Sequence, residues 1–396
     1  MTHPTTAKAR FIVPLLIIGL ILAATNMRSP IVMIGSIASM LQQTLGLGAS
    51  DIGLLGALPM PLFAIGALIA PMLAKRFGLE IMMIAMTALL TLGVATRVWA
   101  GAPLLFAGTL VLSFAIGMLN ALTAPFIKNY APNHIALATG IFSLSMSAIA
   151  GISAVVVVPM ADGLSWQVAL SSWAIFGCMT TLIWTLIYRT RHTQAVADTA
   201  IQHTARFRPW RSLSAWQMAV MMGVQSFLFY TVASFLPSIG TNLGQDLGRA
   251  TQTALIFQLM APPAILLLTY LIRHAVPTRI IGATGCVCNA IGVLGILMMP
   301  SQLVLWSAVM GFGCAVVFTL SLMMFSLRTS STENARDLSG MVQAVGYFIA
   351  MFGPLSMGWL FETCGDWQVP LIVLSVLMLI NAPFGYLASR DDKVDA

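Results

Sequence analysis

The chain has 396 residues, of which 59% are hydrophobic and only 8% are charged, and its formal net charge is +7. Because a soluble domain has about 25% charged residues, this composition excludes a soluble protein and predicts a polytopic α-helical membrane protein. In a soluble protein, a positive net charge suggests a nucleic-acid partner. Here the Lys and Arg residues lie mostly between apolar segments, so we expect no nucleic-acid partner. The five cysteines lie mostly within or beside apolar segments, and we interpret them as small hydrophobic residues.

Twelve apolar segments are long enough to cross a membrane, for which a helix needs about 20 residues. The predicted fold class is therefore an all-α membrane protein with twelve transmembrane helices, numbered here as spans one to twelve. The predicted windows are 11–42, 52–74, 79–99, 103–127, 136–160, 166–189, 214–239, 250–272, 279–299, 303–327, 338–361 and 367–389.

The basic residues predict the orientation of the chain. If both termini share one side of the membrane, 16 of the 19 Lys and Arg residues lie on that side, and only Arg28, Arg97 and Arg249 do not. Since cytoplasmic loops are enriched in Lys and Arg, we expect both termini to be cytoplasmic.

Two related halves are indicated by a polar connection and by matched residues. Residues 190–213 are the only long polar connection in the interior of the sequence, so we predict six-helix bundles at 1–189 and 214–396 joined by a cytoplasmic linker. The matched positions are Lys128 with Arg328, Gly140 with Gly340, Trp166 with Trp367, and Lys75-Arg76 with Arg273-His274. Parallel repeats of this kind are typical of major facilitator-type transporters, whose substrate site lies at the midplane between the halves.

Arg28 is a lone charge inside the first apolar segment. A cation near the middle of a membrane helix costs roughly 2.5–3.5 kcal/mol on insertion scales. All twelve acidic residues fall in loops, at segment ends or in the tail, so no span offers Arg28 an obvious carboxylate. We predict that Arg28 lines a cavity and binds an anionic or dipolar group; the alternative is an arginine satisfied by helix carbonyls and water. Pro30 cannot donate to the Asn26 carbonyl, so the helix can bend there.

Other polar side chains within the spans are candidates for contact with a substrate, although each could instead make an interhelical hydrogen bond. Arg97, near the outer end of span three, is expected to extend to the membrane surface, and the alternative is a direct role in transport. The remaining candidates are Asn120 and Thr123 in span four, Gln225 and Tyr230 in span seven, Gln258 in span eight, and Gln343 and Tyr347 in span eleven.

The sequence offers no catalytic or cofactor motif. It has no phosphate-binding G-x-x-x-x-G-K-[ST] motif, and its five histidines lie in tails or loops, so we expect no enzyme activity, no cofactor and no metal. No span interior contains Asp, Glu or His, the usual groups of proton relays. We therefore predict that no single buried acid is essential for energy coupling, and we interpret Asp51 as a helix cap.

The stretch Asn26-Met27-Arg28-Ser29-Pro30, leading to Gly35, resembles the start of the cyanate / 2-nitroimidazole transporter family of the major facilitator superfamily. Residues 339–347, followed by Gly353-Pro354, resemble the nitroimidazole branch in particular. The resemblance covers the whole chain. It implies a monomeric carrier in a bacterial inner membrane, which moves a small-molecule substrate across the lipid bilayer by alternating access, with Arg28 and Asn26 in its substrate site.

The chain departs from the superfamily pattern after span two, where G-x-x-x-D-R-x-G-R-[RK] is usual. Arg76 and Gly78 are kept, but Lys75 replaces the acid and Glu80 replaces the final base. The resemblance assigns a conformational role to Lys75, Arg76, Glu80 and Lys128, and Glu80 could supply the missing carboxylate. Two other functions stay open: a multidrug exporter of apolar cations, for which no span offers an acid, and a membrane sensor or scaffold.

Overall fold

The structure is a computed structural model, and it describes residues 5–192 and 207–395. Every regular element in these ranges is a helix, as expected where lipid leaves backbone polar groups to be satisfied within one segment. Twelve helical segments are long and apolar enough to span a membrane, which confirms the predicted fold class. They are Pro14–Ser36, Asp51–Phe77, Leu79–Thr96, Gly101–Tyr130, Pro132–Gly163, Trp166–Thr190, Leu213–Asn242, Gln252–Arg273, Thr278–Met298, Pro300–Leu327, Thr332–Cys364 and Gln368–Ala388.

Span one ends six residues before the end of its predicted window, 11–42. Its helix, Thr5–Ser36, continues through Pro30 and ends before Ile37, and a separate helix, Ala38–Leu45, follows. Hydropathy could not find this end, because the residues on both sides of the turn are apolar.

Three further spans consist of two consecutive α-helices. Span two combines Ala49–Ala57 with Pro59–Phe77, span six combines Trp166–Ser171 with Ala174–His192, and span eight combines Leu247–Leu259 with Ala261–Arg273. In spans two and eight a proline lies in the first turn of the second helix, where its missing N–H is tolerated.

The chain forms two compact units. The first comprises Met1–Phe207 with Ser331–Arg336, and the second comprises Arg208–Ser330 with Asp337–Ala396. Most of the predicted linker lies outside the described residues, so its boundaries at 190 and 213 stay a prediction.

In the first unit, glycines set the packing of neighbouring spans. A Cβ added at Gly66 would lie 2.6 Å from the Phe114 carbonyl oxygen, and one added at Gly117 would lie 2.6 Å from the Phe63 Cα. Spans two and four therefore pack backbone against backbone. Gly78 alone joins span two to span three, and its φ of 94° is a conformation that glycine adopts at little cost.

The second unit is built around an apolar core to which spans seven to twelve contribute. Trp367 is its largest fully buried side chain, and its ring stacks on Phe361 with ring centroids 4.7 Å apart. The Trp367 indole N–H donates to the Ser238 hydroxyl at 3.2 Å, so the tryptophan that opens span twelve is tied to span seven. Large apolar side chains such as Val155 and Trp359 are exposed on the two units, as expected of surfaces that meet lipid rather than water.

Candidate functional site

The turn around Arg28 is the most polar part of the membrane-spanning segment Pro14–Ser36. The Arg28 side chain is half-buried, whereas its neighbours Asn26 and Ser29 are buried. Thr25, three residues before Arg28 in the sequence, donates its hydroxyl to the Ile21 carbonyl at 2.9 Å. The helix holds the arginine about eight residues, or two turns, before its end at Ser36.

Asn26 is engaged within the first unit. Its side-chain N–H groups donate to the Leu22 carbonyl at 2.7 Å and to the Thr180 hydroxyl of span six at 3.3 Å. The side chain is 2% exposed. These contacts favour the helix-packing alternative for Asn26 over direct contact with a substrate.

Arg97 was expected to extend to the membrane surface, and that expectation is wrong. The side chain is completely buried, and its Nη2 donates to the Pro30 carbonyl of span one at 2.7 Å. The reason lies in span four, where Gly108 has no side chain and the stem of Arg97 occupies the space in front of it. Enclosed in this way, the guanidinium turns inward to span one instead of outward to water.

Asn120 and Thr123, the candidates in span four, are both buried. The Thr123 hydroxyl donates to the Leu119 carbonyl of its own helix at 2.7 Å. This bond leaves the hydroxyl oxygen as an acceptor and removes its only donor.

The two buried glutamines of the second unit make hydrogen bonds with their amides. Gln225 donates to the Cys314 carbonyl of span ten at 3.2 Å and accepts a hydrogen bond from Ser226 at 3.2 Å. Gln343 donates to the Ser339 hydroxyl of its own helix at 3.0 Å. Gln225 therefore links span seven to span ten, whereas Gln343 bonds within span eleven.

Spans seven and eleven, which carry these glutamines, lie in close contact. A Cβ at Gly223 would lie 3.2 Å from the Gly346 Cα, and one at Gly353 would lie 2.6 Å from the Phe227 carbonyl oxygen. The approach at Gly353 is the closer of the two, and the helix continues through Pro354.

The remaining candidates of the second unit differ in exposure. Tyr347 is buried, Tyr230 is half-buried beside Phe229, and Gln258 is exposed. Gln258 lies two residues before the junction of the two helices of span eight. An amide exposed at this depth is costly against lipid, so its position favours a polar surrounding.

Glu80, at the start of span three, accepts hydrogen bonds from the end of span four. Its Oε1 receives the Asn129 amide at 3.1 Å and the Tyr130 hydroxyl at 3.3 Å. Lys75 and Arg76 are exposed, and Lys128 is half-buried. Sequence reasoning placed Glu80 among the conformational residues but missed both donors, which follow Lys128 directly.

Asp51 performs the predicted capping role in a modified way. Its carboxylate accepts the Gly48 N–H at 2.9 Å, so it satisfies the backbone just before the helix that begins at Ala49. Among residues 5–192 and 207–395, no group of His, Cys, Asp and Glu side chains is arranged to hold a metal ion.

Comparison with known proteins identifies the family. The chain is 32% identical over 380 residues to the 2-nitroimidazole transporter of Escherichia coli (strain K12), covering 96% of each. It is 23% identical over 381 residues to the cyanate transport protein CynX of the same organism, covering 93% of this chain and 97% of that protein. The solved structure of the proton:xylose symporter XylE, at 13% identity, shares the fold with a TM-score of 0.76 over 98% of each chain. The relatives and the fold are those of transporters rather than enzymes. The sequence profile of the Major Facilitator Superfamily matches residues 16–306, and the chain belongs to that superfamily.

Proposed function

We propose that this transporter moves a small anionic or strongly polar compound across a bacterial inner membrane by alternating access. Arg28 carries the proposal, because it places a permanent positive charge inside span one, where the side chain stays half-buried. The names of two relatives support the substrate class, since one transports 2-nitroimidazole and the other cyanate. Both compounds present compact groups of electron-rich oxygen or nitrogen atoms.

A guanidinium is well suited to such a group. It stays charged at any physiological pH, and its planar set of N–H donors bonds two acceptor atoms at once. A partly exposed guanidinium within a span is strongly disfavoured against hydrocarbon. We therefore assign the exposed part of Arg28 to a polar cavity that the substrate enters.

The other proposed contacts follow from the exposure and the hydrogen bonds of each side chain. Asn120 in the first half and Gln258, Tyr230 and Tyr347 in the second are proposed to contact the substrate. Asn26, Thr123, Gln225 and Gln343 are proposed to support the site through the hydrogen bonds described above.

Orientation and coupling complete the proposal. We propose that both termini are cytoplasmic, because 16 of the 19 Lys and Arg residues would lie on that side. We also propose that a pH gradient drives transport through protonation of the substrate itself, rather than through protonation of a carboxylate within a span. Gating is assigned to residues at the ends of spans two, three and four, namely Lys75, Arg76, Glu80 and Lys128.

The test is transport in cells that lack or overproduce the protein. A panel of toxic compounds, including 2-nitroimidazole and sodium cyanate, separates import from export by the direction in which resistance changes. Arg28→Gln should abolish the change while membrane expression stays normal, and Arg28→Lys should keep part of it. Arg249→Gln, at an exposed arginine paired with Asp246, is the matched control. Normal transport by Arg28→Gln at normal expression would exclude the proposed role.

A further inference from the structure

The guanidinium of Arg97 lacks hydrogen-bond acceptors for two of its three nitrogen atoms in the described part of the chain. The side chain is 0% exposed, and only its Nη2 finds an acceptor, the neutral carbonyl of Pro30. Its Nε and Nη1 have no hydrogen-bond acceptor in the described part of the chain. A buried donor without a partner is destabilising, and a buried cation facing no negative charge is more so. Two of its donor groups therefore lack an acceptor that a negatively charged group would supply.

The contact with Pro30 brings this second guanidinium to the turn that carries Arg28. Pro30 follows Arg28 by two residues, which is about 3 Å along the helix axis. Arg28 thus belongs to the turn of span one that Arg97 contacts, and both arginines lie in the first unit of the protein.

Ser29, between Arg28 and Pro30, adds a further unused donor. Its side chain is 0% exposed, and its hydroxyl bonds to no group of residues 5–192 or 207–395. Thr25 and Thr123, also buried in this unit, bond instead to carbonyls of their own helices. The turn at 28–30 therefore combines two arginines with an unsatisfied hydroxyl.

We propose that Arg97 is a second anion-binding group, which together with Arg28 forms a two-arginine site for the negative group of the transported compound. The inference rests on the proposed function and extends it to a residue of span three. In the conformation described, Arg97 is held on the Pro30 carbonyl with two N–H groups open. A small anion with several acceptor atoms would take these donors together with the Ser29 hydroxyl, because an arginine can bond a carbonyl and an anion at once.

The test uses one probe in two charge states. The neutral and the deprotonated form of 2-nitroimidazole have nearly the same shape, and the pH of the buffer selects between them. Binding is measured by calorimetry on the purified full-length protein in detergent. Arg97→Gln should weaken binding of the deprotonated form by about tenfold, the scale of one lost charge-assisted contact, and leave binding of the neutral form unchanged. Arg249→Gln, measured at both pH values, controls for pH effects on the protein itself.

The outcomes separate the two claims. If Arg28→Gln weakens binding of the deprotonated form but Arg97→Gln does not, or if Arg97→Gln weakens both forms equally, the inference fails and the proposed function stands. If Arg28→Gln changes neither form, the proposed function fails as well. Should Arg97→Gln not fold, Arg97→Lys carries the test, because its single ammonium keeps the charge but loses the fork of donors. Its preference for the deprotonated form should fall about threefold or more, and an unchanged preference would overturn the inference.

Discussion

Each half of the protein links its first helix to its last helix through an asparagine. The asparagine lies on the first helix in the first half and on the last helix in the second half. In the first half, Asn26 of span one donates to the Thr180 hydroxyl of span six at 3.3 Å. In the second half, Asn381 of span twelve donates to the Met221 carbonyl of span seven at 3.3 Å. The repeat thus conserves a polar contact between its first and last helices, but not the position that supplies it. Matching residues in register along the sequence could not detect this equivalence.

The halves also differ at the ends of their fourth helices. In the first half, the carboxylate of Glu80 accepts hydrogen bonds from the two residues after Lys128. In the second half, the matched residue Arg328 is buried and donates through Nε to the Asp392 carbonyl at 2.9 Å and through Nη1 to the Ala388 carbonyl. The first half therefore uses a side-chain acceptor from a neighbouring span, and the second uses backbone carbonyls at the end of span twelve and in the C-terminal tail.

Further contacts hold the tail in place within the second unit. The Lys393 ammonium donates to the Leu327 carbonyl at 2.8 Å, and the Asp395 carboxylate accepts from the Ser330 N–H at 2.8 Å. The Lys393 contact satisfies a carbonyl at the end of span ten, where a cation is favourable. Residues 389–395 thus stabilise the end of span ten, a role that nothing in the sequence indicated.

Replacing Arg328 should have the largest effect on stability. Arg328→Met removes charge-assisted bonds from two backbone carbonyls, each worth about 1.5–3 kcal/mol, so thermal unfolding in detergent should occur at a clearly lower temperature. Asp392→Asn is the matched control, because Arg328 bonds the main-chain oxygen of Asp392. Equal unfolding temperatures for Arg328→Met and the native protein would refute the role of the tail contact.

The two asparagine contacts should be equivalent in strength despite their opposite origin. Asn26→Ala and Asn381→Ala should each cost about 0.6 kcal/mol, the average for interhelical hydrogen bonds in membranes. Unfolding by denaturant in detergent measures both, and Asn133→Ala, at an exposed asparagine, provides the control. A loss confined to one half would show that the two contacts are not equivalent.

Much of this comparison follows from the sequence, and the rest depends on neighbouring helices. The twelve spans were predictable because membrane helices are long and apolar, and Arg28 stood out as a charge within one of them. The burial of Arg97 was not predictable, because Gly108 of the next helix decides whether the side chain can reach water. Hydrogen bonds such as Gln225 to Cys314 depend on contacts between distant segments. Local polarity could mark these residues but could not distinguish packing from substrate contact.

Neutralising the carboxylates of Asp51 and Glu80 should have a small effect on accumulation driven by a pH gradient. Asp51→Asn keeps an oxygen that can accept the Gly48 N–H, and Glu80→Gln keeps one for Asn129 and Tyr130. In vesicles with an imposed pH gradient, both variants should accumulate substrate nearly as the native protein does. Loss of gradient-driven accumulation with exchange preserved would reveal a proton site on the protein.

The measurement that tests the account most directly is counterflow exchange in reconstituted vesicles, which requires binding and translocation but no energy coupling. Vesicles loaded with unlabelled 2-nitroimidazole or cyanate are diluted into the labelled compound, and the native protein is compared with Arg28→Gln, Arg28→Lys and Arg249→Gln. If Arg28 binds the substrate, Arg28→Gln should lose exchange, Arg28→Lys should keep a reduced rate, and Arg249→Gln should exchange normally. Normal exchange by Arg28→Gln of a compound that the native protein transports would show that Arg28 does not bind the substrate.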